Sequence, residues 1–299
     1  MGTFEISDLG ALGAIGIVVL LFVVIGFTKG MVRMFFGFLS LAAAGLAAYW
    51  GFQRGASVAA LAVSDPDPWM AGAVGIIMGL GIFFAARALF GLILAPVKVV
   101  DGKKKNLAAP GGFLGLLAGI VFVWFAFSGL RYVGSLSELK RLRDSLADGK
   151  VTEVAEPLAV KIKKIIDNSV PGRVHKRIDF LNDEACCTLA KLQILVQNKA
   201  AISLAARDSE LRKNFAQPQI RGMLESSPEL NDFIREGQFS QLLESAKIRE
   251  VAQHPEARAI LTAADIEVAL GLTTPAEGPV ADAKEDAPAG QPRTGLEPR

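Results

Sequence analysis

Residues 110–127 read PGGFLGLLAGIVFVWFAF, apolar throughout and with Gly111, Gly112, Gly115 and Gly119 crowded toward one end. In water a glycine buries no side chain and weakens a helix by roughly 0.8–1.0 kcal/mol relative to alanine. In a bilayer the balance changes. Lipid tails are as apolar as leucine, so helices are held by close van der Waals packing, and small residues let two backbones approach. Gly111, Gly115 and Gly119 recur every four residues and therefore share one helical face. The stretch reads as a membrane helix carrying a packing seam, and the fold turns on whether the rest of the chain agrees.

It does agree. The chain has 299 residues, 51% of them hydrophobic, and the excess lies before Arg131, after which charges recur every few residues. A span needs about 20 predominantly apolar residues. Four segments qualify: 9–27, 34–51, 70–94 and 107–130, the third broken only by Arg87. The first is too long for a signal-peptide core and follows Glu5 and Asp8 rather than basic residues, so cleavage is not expected. Gly26 and Gly30 at the end of the first span, and Gly75 and Gly79 in the third, repeat the four-residue spacing. A packing role is expected for all seven glycines; the bland alternative is that glycine is common in membrane helices. The expected architecture is all-α: a four-transmembrane-helix bundle over 1–132, a soluble helical domain over 133–272, and a disordered Pro/Gly-rich tail over 273–299.

Charge sets the expected orientation. Lys29 and Arg33 follow the first span, and Lys98, Lys103, Lys104 and Lys105 follow the third, so both loops should be cytoplasmic. The second loop carries Arg54 beside Asp65 and Asp67 and ends at Trp69; it should face out, as should the C-terminal domain after a fourth crossing. Arg131, Lys140, Arg141 and Arg143 just after the last span pull the other way. Arg87 is an intramembrane charge and hence a functional candidate. Near the cytoplasmic end its long side chain can instead snorkel to the headgroups.

The residues GFTKGMVRMFFGFLSL (26–41) and PGGFLGLLAGIVFV (110–123), with Asp8 ahead of the first span, resemble the colicin V production protein (CvpA) family. Lys29, Gly30 and Arg33 match its basic-Gly-x-x-Arg turn, and Gly111, Gly115 and Gly119 match its glycine run. The resemblance covers residues 4–132. Met34, Leu107, Ala108 and Ala118 stand where the family often has charged residues, so no charge network between cytoplasmic loops is implied here. The resemblance implies a multi-pass bacterial inner-membrane protein, tied to colicin V production or export in some hosts and to envelope maintenance. It implies no catalytic residues. Some relatives fuse the module to a periplasmic serine protease, which favours an outward C-terminus.

The C-terminal half reads as helices over 137–146, 151–166 (limited by Pro157) and 181–206. Then PQIRGML from Pro218, PELNDFI from Pro228 and PEARAIL from Pro255 each open with proline, which suits a first helical position. AKIREVA from Ala246 fits without it, and the starts pair with offsets of 28 and 27 residues. A short solenoid-like stack of two helix pairs and a coincidence of helix grammar both fit this spacing.

Chemistry is sparse. His175, His254, Cys186 and Cys187 form no metal-ligand spacing, and no nucleophile elbow, phosphate loop or dinucleotide fingerprint is present. His254 reads as a helix cap; the adjacent cysteines read as core residues or as an intermolecular disulfide. No enzyme activity, cofactor, metal or nucleic-acid partner is expected. The favoured reading is an accessory membrane protein whose external helices bind an envelope protein. An oligomeric transporter or channel and an enzyme tether are the alternatives, and a homo-oligomer is left open. The bilayer itself is the first partner.

Overall fold

The structure is a computed structural model that describes residues 6–61, 67–93, 108–146, 155–179, 181–205, 207–264 and 266–271. Lys103, Lys104, Lys105 and the 273–299 tail lie outside the described residues. Among those described, the secondary structure is helical throughout, with no strand. Four long helices come first: α1 (Ile6–Lys29), α2 (Met31–Ala60), α3 (Pro68–Ile93) and α4 (Ala108–Ser145). α2 packs along α3, α1 along α4, and α2 and α3 both touch α4.

The outward faces of this bundle are apolar. Ile17, Leu20, Leu21 and Val24 of α1 and Ile76, Ile77, Leu80 and Phe84 of α3 are each at least half exposed. A contiguous apolar surface of this kind is untenable in water and ordinary in lipid. α2, α3 and α4 are each long and apolar enough to cross a bilayer, while α1 is apolar over the shorter Gly13–Lys29.

The seams between the helices are built from glycine. A Cβ added to Gly115 would lie 2.9 Å from the carbonyl carbon of Phe22 and 3.0 Å from Val23 Cα; one on Gly119 would lie 3.0 Å from Val19 Cα. One on Gly111 would lie 3.0 Å from the carbonyl carbon of Gly30, and one on Gly26 would run into the Gly111 carbonyl. On the other pair, a Cβ on Gly79 would meet Ala48 Cβ at 2.9 Å, and one on Gly75 the ring of Phe52. Gly30 differs from the rest. Its own Cβ position faces open space, but its φ of 76° lies in the left-handed region that favours glycine. That one residue joins α1 to α2, and its conformation rather than its size requires glycine.

α4 departs from the expected layout. Instead of ending near 130 and restarting at 137, it runs unbroken for 38 residues. At 1.5 Å per residue that is about 57 Å, against a hydrocarbon core of about 30 Å. The second half of α4 is therefore available to the C-terminal helices, and Tyr132, Leu136, Leu139 and Leu142 are buried there. Phe52 of α2 joins the same core. No break occurs at the expected boundary after Tyr132.

The C-terminal helices are α5 (Leu158–Asn168), α6 (Val170–Ile178), α7 (Glu184–Val196), α8 (Lys199–Ala205), α9 (Ser209–Ala216), α10 (Pro218–Glu225), α11 (Pro228–Arg235), α12 (Phe239–Glu244), α13 (Ala246–Gln253), α14 (Pro255–Leu261) and α15 (Ile266–Ala269). The four short helices read from the sequence start at 218, 228, 246 and 255, as expected. Their arrangement is not a linear stack of pairs. α10, α11, α13 and α14 all pack on α7, whose Leu189, Leu192 and Leu195 are fully buried. The helix expected over 181–206 is broken at Asn198. The Asn198 side chain accepts from the Ala201 amide (3.1 Å) and donates to the Leu146 carbonyl (2.6 Å), capping α8 and tying it to the end of α4.

Candidate functional site at the buried charges of the fourth helix

Three charged residues of α4, Arg131, Glu138 and Arg141, sit seven and three positions apart and so lie on neighbouring parts of one face. Together they reach α5, the end of α6, α7 and α15. Arg131 is fully buried; its Nε donates to Asp167 Oδ1 and its Nη1 to Asp179 Oδ2, both at 2.6 Å. Arg131 Nη2 is buried without a partner, so the guanidinium is only partly satisfied.

Local geometry brings the two aspartates together. Ser169 ends α5 and caps α6, accepting from the Gly172 amide at 3.1 Å with Pro171 in the first turn. This one-residue corner sets Asp167, in the last turn of α5, beside His175 and Asp179 of the α6 side. Gly134 lets α5 lie close, because a Cβ there would be 3.0 Å from the Ala159 carbonyl and 2.5 Å from Lys163 Cβ.

His175 closes the cluster on the membrane side. Its Nε2 lies 3.1 Å from the Trp124 carbonyl, to which it donates, and 3.2 Å from Ser128 Oγ. The rings of Trp124 and Phe127 flank it, and its Nδ1 stands 3.7 Å from Asp179 Oδ2. Burial lowers its pKa below the ordinary histidine value and outweighs the raising effect of Asp179.

One to two turns further along α4, Glu138 Oε2 takes Lys163 Nζ at 2.8 Å and Lys191 Nζ at 3.0 Å. Lys191 also meets Glu267 at 2.9 Å, and Arg141 meets Glu267 at 3.5 Å. Burial alone would lower the pKa of Lys191, but Glu138 and Glu267 outweigh it and hold the ammonium above the lysine range. The cations after the fourth span thus have acidic partners: Lys140 pairs with Asp67 at 2.7 Å and Arg143 with Asp144 at 3.1 Å. Arg131, Glu138 and Arg141 join α4 to α5, the end of α6, α7 and α15, and the linear reading of the two arginines as orientation signals missed this role.

The cluster is built of buried ion pairs. Cys186 and Cys187 are buried in α7 as free thiols. Burial pushes Cys186 up to about 12 and raises Cys187 as well. Both should resist maleimide in the native protein near neutral pH and react once the chain is unfolded in detergent; rapid native labelling would show that α7 is accessible. His254 occupies the N-cap position of α14 with no side-chain capping bond. The remaining sequence candidates converge elsewhere: Lys29, Arg33 and Arg87 line one cavity at the Gly30 end of the bundle.

An all-helical chain with several bilayer-length apolar helices and apolar outer faces is a multi-pass membrane protein. Residues 13–154 match the family model described as colicin V production protein, and over that stretch the chain is similar to that family. The match runs past residue 132 and takes in all of α4, so the matched stretch includes the helix that carries Arg131, Glu138 and Arg141. The comparisons with curated proteins and with solved structures find no match.

Proposed function

We propose that this chain is a non-enzymatic accessory protein of the bacterial inner membrane, of the colicin V production type. It crosses the membrane four times, with α1 as the first span, and its C-terminal helices bind an envelope protein on the outer side. The carrying observation is the unbroken α4, whose buried ion pairs lock it to the C-terminal helices. A partner bound to those helices pulls on the membrane bundle through a rigid rod rather than a linker. That suits a protein linked to toxin production or envelope maintenance through a partner's presence, and it argues against a passive spacer.

The lysine-rich third loop supports the orientation. The cations that pull the other way are paired with acids in the folded protein, so they leave no unpaired basic patch after the last span. Reporter fusions after Lys105 and after Leu272 should report opposite compartments. The same compartment for both rejects four spans with an outer C-terminus. A chain lacking 155–272 should still reach the membrane, checked by its level there, and fail to restore the phenotype lost with the whole protein. Full restoration would move the function to the membrane helices.

A further inference from the structure

The cavity at the Gly30 end of the bundle is basic, and the ion-pair network on α4 does not explain it. It holds about 500 Å3 and is lined by Lys29 of α1, Arg33, Phe36, Gly37 and Ser40 of α2, and Arg87, Phe90 and Gly91 of α3. The lining follows from helix geometry. Residues 33, 36, 37 and 40 fall on one face of α2, and 87, 90 and 91 on one face of α3. The single-residue joint at Gly30, with φ of 76°, brings Lys29 at the end of α1 next to Arg33 in the first turn of α2.

Three cations line this space, and among the described residues no acidic one does. None of the three has an ion-pair partner among the described residues, in contrast to the paired cations of α4. Below the charges the wall turns apolar. Phe36 and Phe90 pack with ring centroids 4.9 Å apart, and Gly37 and Gly91 leave their sides open, with nothing within 4 Å of a Cβ on either. Ser40 is buried at the floor, its hydroxyl donating to the Phe36 carbonyl at 2.9 Å. A cationic mouth over an apolar, groove-like wall matches a phosphate-bearing lipid, headgroup above and acyl chain below.

We propose that Lys29, Arg33 and Arg87 form a binding site for the phosphate of an anionic phospholipid headgroup. Arg87 and Arg33 clamp the phosphate oxygens, each guanidinium offering a planar fork suited to them, while Lys29 adds charge from the rim. The acyl chain runs along Phe36, Gly37, Phe90 and Gly91. Arg87 then has a ligand rather than only a route to the water. The proposal rests on the reading that α1, α2 and α3 span a bilayer.

The test uses purified full-length protein in a neutral detergent, with thermal unfolding followed as lipid is titrated. The probes are phosphatidylglycerol, phosphatidylcholine and inorganic phosphate. Phosphatidylglycerol should raise the unfolding temperature saturably, and phosphatidylcholine should not. Arg33→Gln and Arg87→Gln should each weaken the apparent affinity about tenfold or more, the scale of one lost charge-assisted contact. Arg54→Gln serves as the charge control, since Arg54 stacks on Trp50 near the other end of α2 (5.6 Å); it should bind as the parent does. Arg87→Lys keeps the charge without the fork, so it should bind more weakly than the parent but more tightly than Arg87→Gln, and it stands in for that variant if Arg87→Gln folds poorly.

Equal losses in all three glutamine variants would mean general electrostatic attraction and overturn the site. So would parent protein that phosphatidylglycerol leaves unchanged. Equal stabilisation by inorganic phosphate at comparable concentration would overturn the lipid as source. The membrane reading fails separately: a chain that washes off membranes in alkaline carbonate is not integral, whatever it binds.

Discussion

Arg131→Met is expected to be among the most damaging single changes in this protein, lowering stability by on the order of 3–5 kcal/mol. The physical cause is what remains. Asp179 has a fully buried side chain and would be left as a carboxylate without its 2.6 Å partner. Asp167, about 20% exposed, would be less affected because water still reaches it. His175, 3.7 Å from Asp179, can take a proton and replace part of the missing charge. The loss should therefore be larger at about pH 8 than at about pH 6, where an imidazole more readily carries charge. Scanning fluorimetry of the full chain in detergent at both pH values measures it. Adding Asp179→Asn should recover a good part of the loss. It removes the orphan charge and keeps an oxygen for the Leu181 amide, which donates to Asp179 Oδ1 at 3.1 Å. A single variant as stable as the parent at both pH values would mean that the clamp does not hold α4 to the C-terminal helices.

The parts of the fold that rest on local rules were legible from the residues. Helix starts at Pro218, Pro228 and Pro255 need only the proline's missing amide, and the glycine spacing of α4 needs only the helical repeat. What could not be read was what pairs with what across long separations. Arg131 is 36 and 48 residues from its two aspartates, and Glu267 is 126 residues from Arg141. In linear form a charge next to a span looks like an orientation signal, because nothing nearby in sequence marks it as a buried partner. The same blindness hid the length of α4. Gly134, Ser135 and Ser137 among charges suggest a chain leaving a helix, yet Gly134 is where α5 crosses and Ser137 turns its hydroxyl back to the Val133 carbonyl at 2.8 Å. Asn198, which looked like an ordinary helical position, caps a new helix because Leu146 supplies its other partner.

This separation bears on how the two halves work together. The bundle is held by backbone proximity, which tolerates no added bulk, and the C-terminal helices by a core around α7 and by ion pairs, which tolerate no lost partner. α4 belongs to both. A disturbance at one end of α4 can reach the other only if both kinds of contact stay intact, and damage to the two ends should therefore have different signatures. Arg131 variants should loosen the C-terminal helices while the bundle persists.

The bundle signature is the second large expected effect. Gly115→Leu should separate α1 from α4 and cost about 1–3 kcal/mol, at the upper end because the obstacle is main chain rather than a movable side chain. Even a methyl at Gly115 would stand 2.9 Å from the Phe22 carbonyl carbon and 3.0 Å from Val23 Cα, atoms fixed by the hydrogen bonding of α1. No rotamer change relieves that contact, so the helices must part along a seam that Gly111 and Gly119 share. The comparison is Gly81→Leu on α3, where nothing lies within 4 Å of an added Cβ. Leucine there faces outward, has the better helix propensity, and should change stability by no more than about 0.5 kcal/mol. Membrane level, oligomeric state in detergent and unfolding temperature should all fall for Gly115→Leu and stay near the parent's for Gly81→Leu. If the two behave alike, either both tolerated or both lost, then the close approach of α1 and α4 at Phe22 is not what holds the bundle.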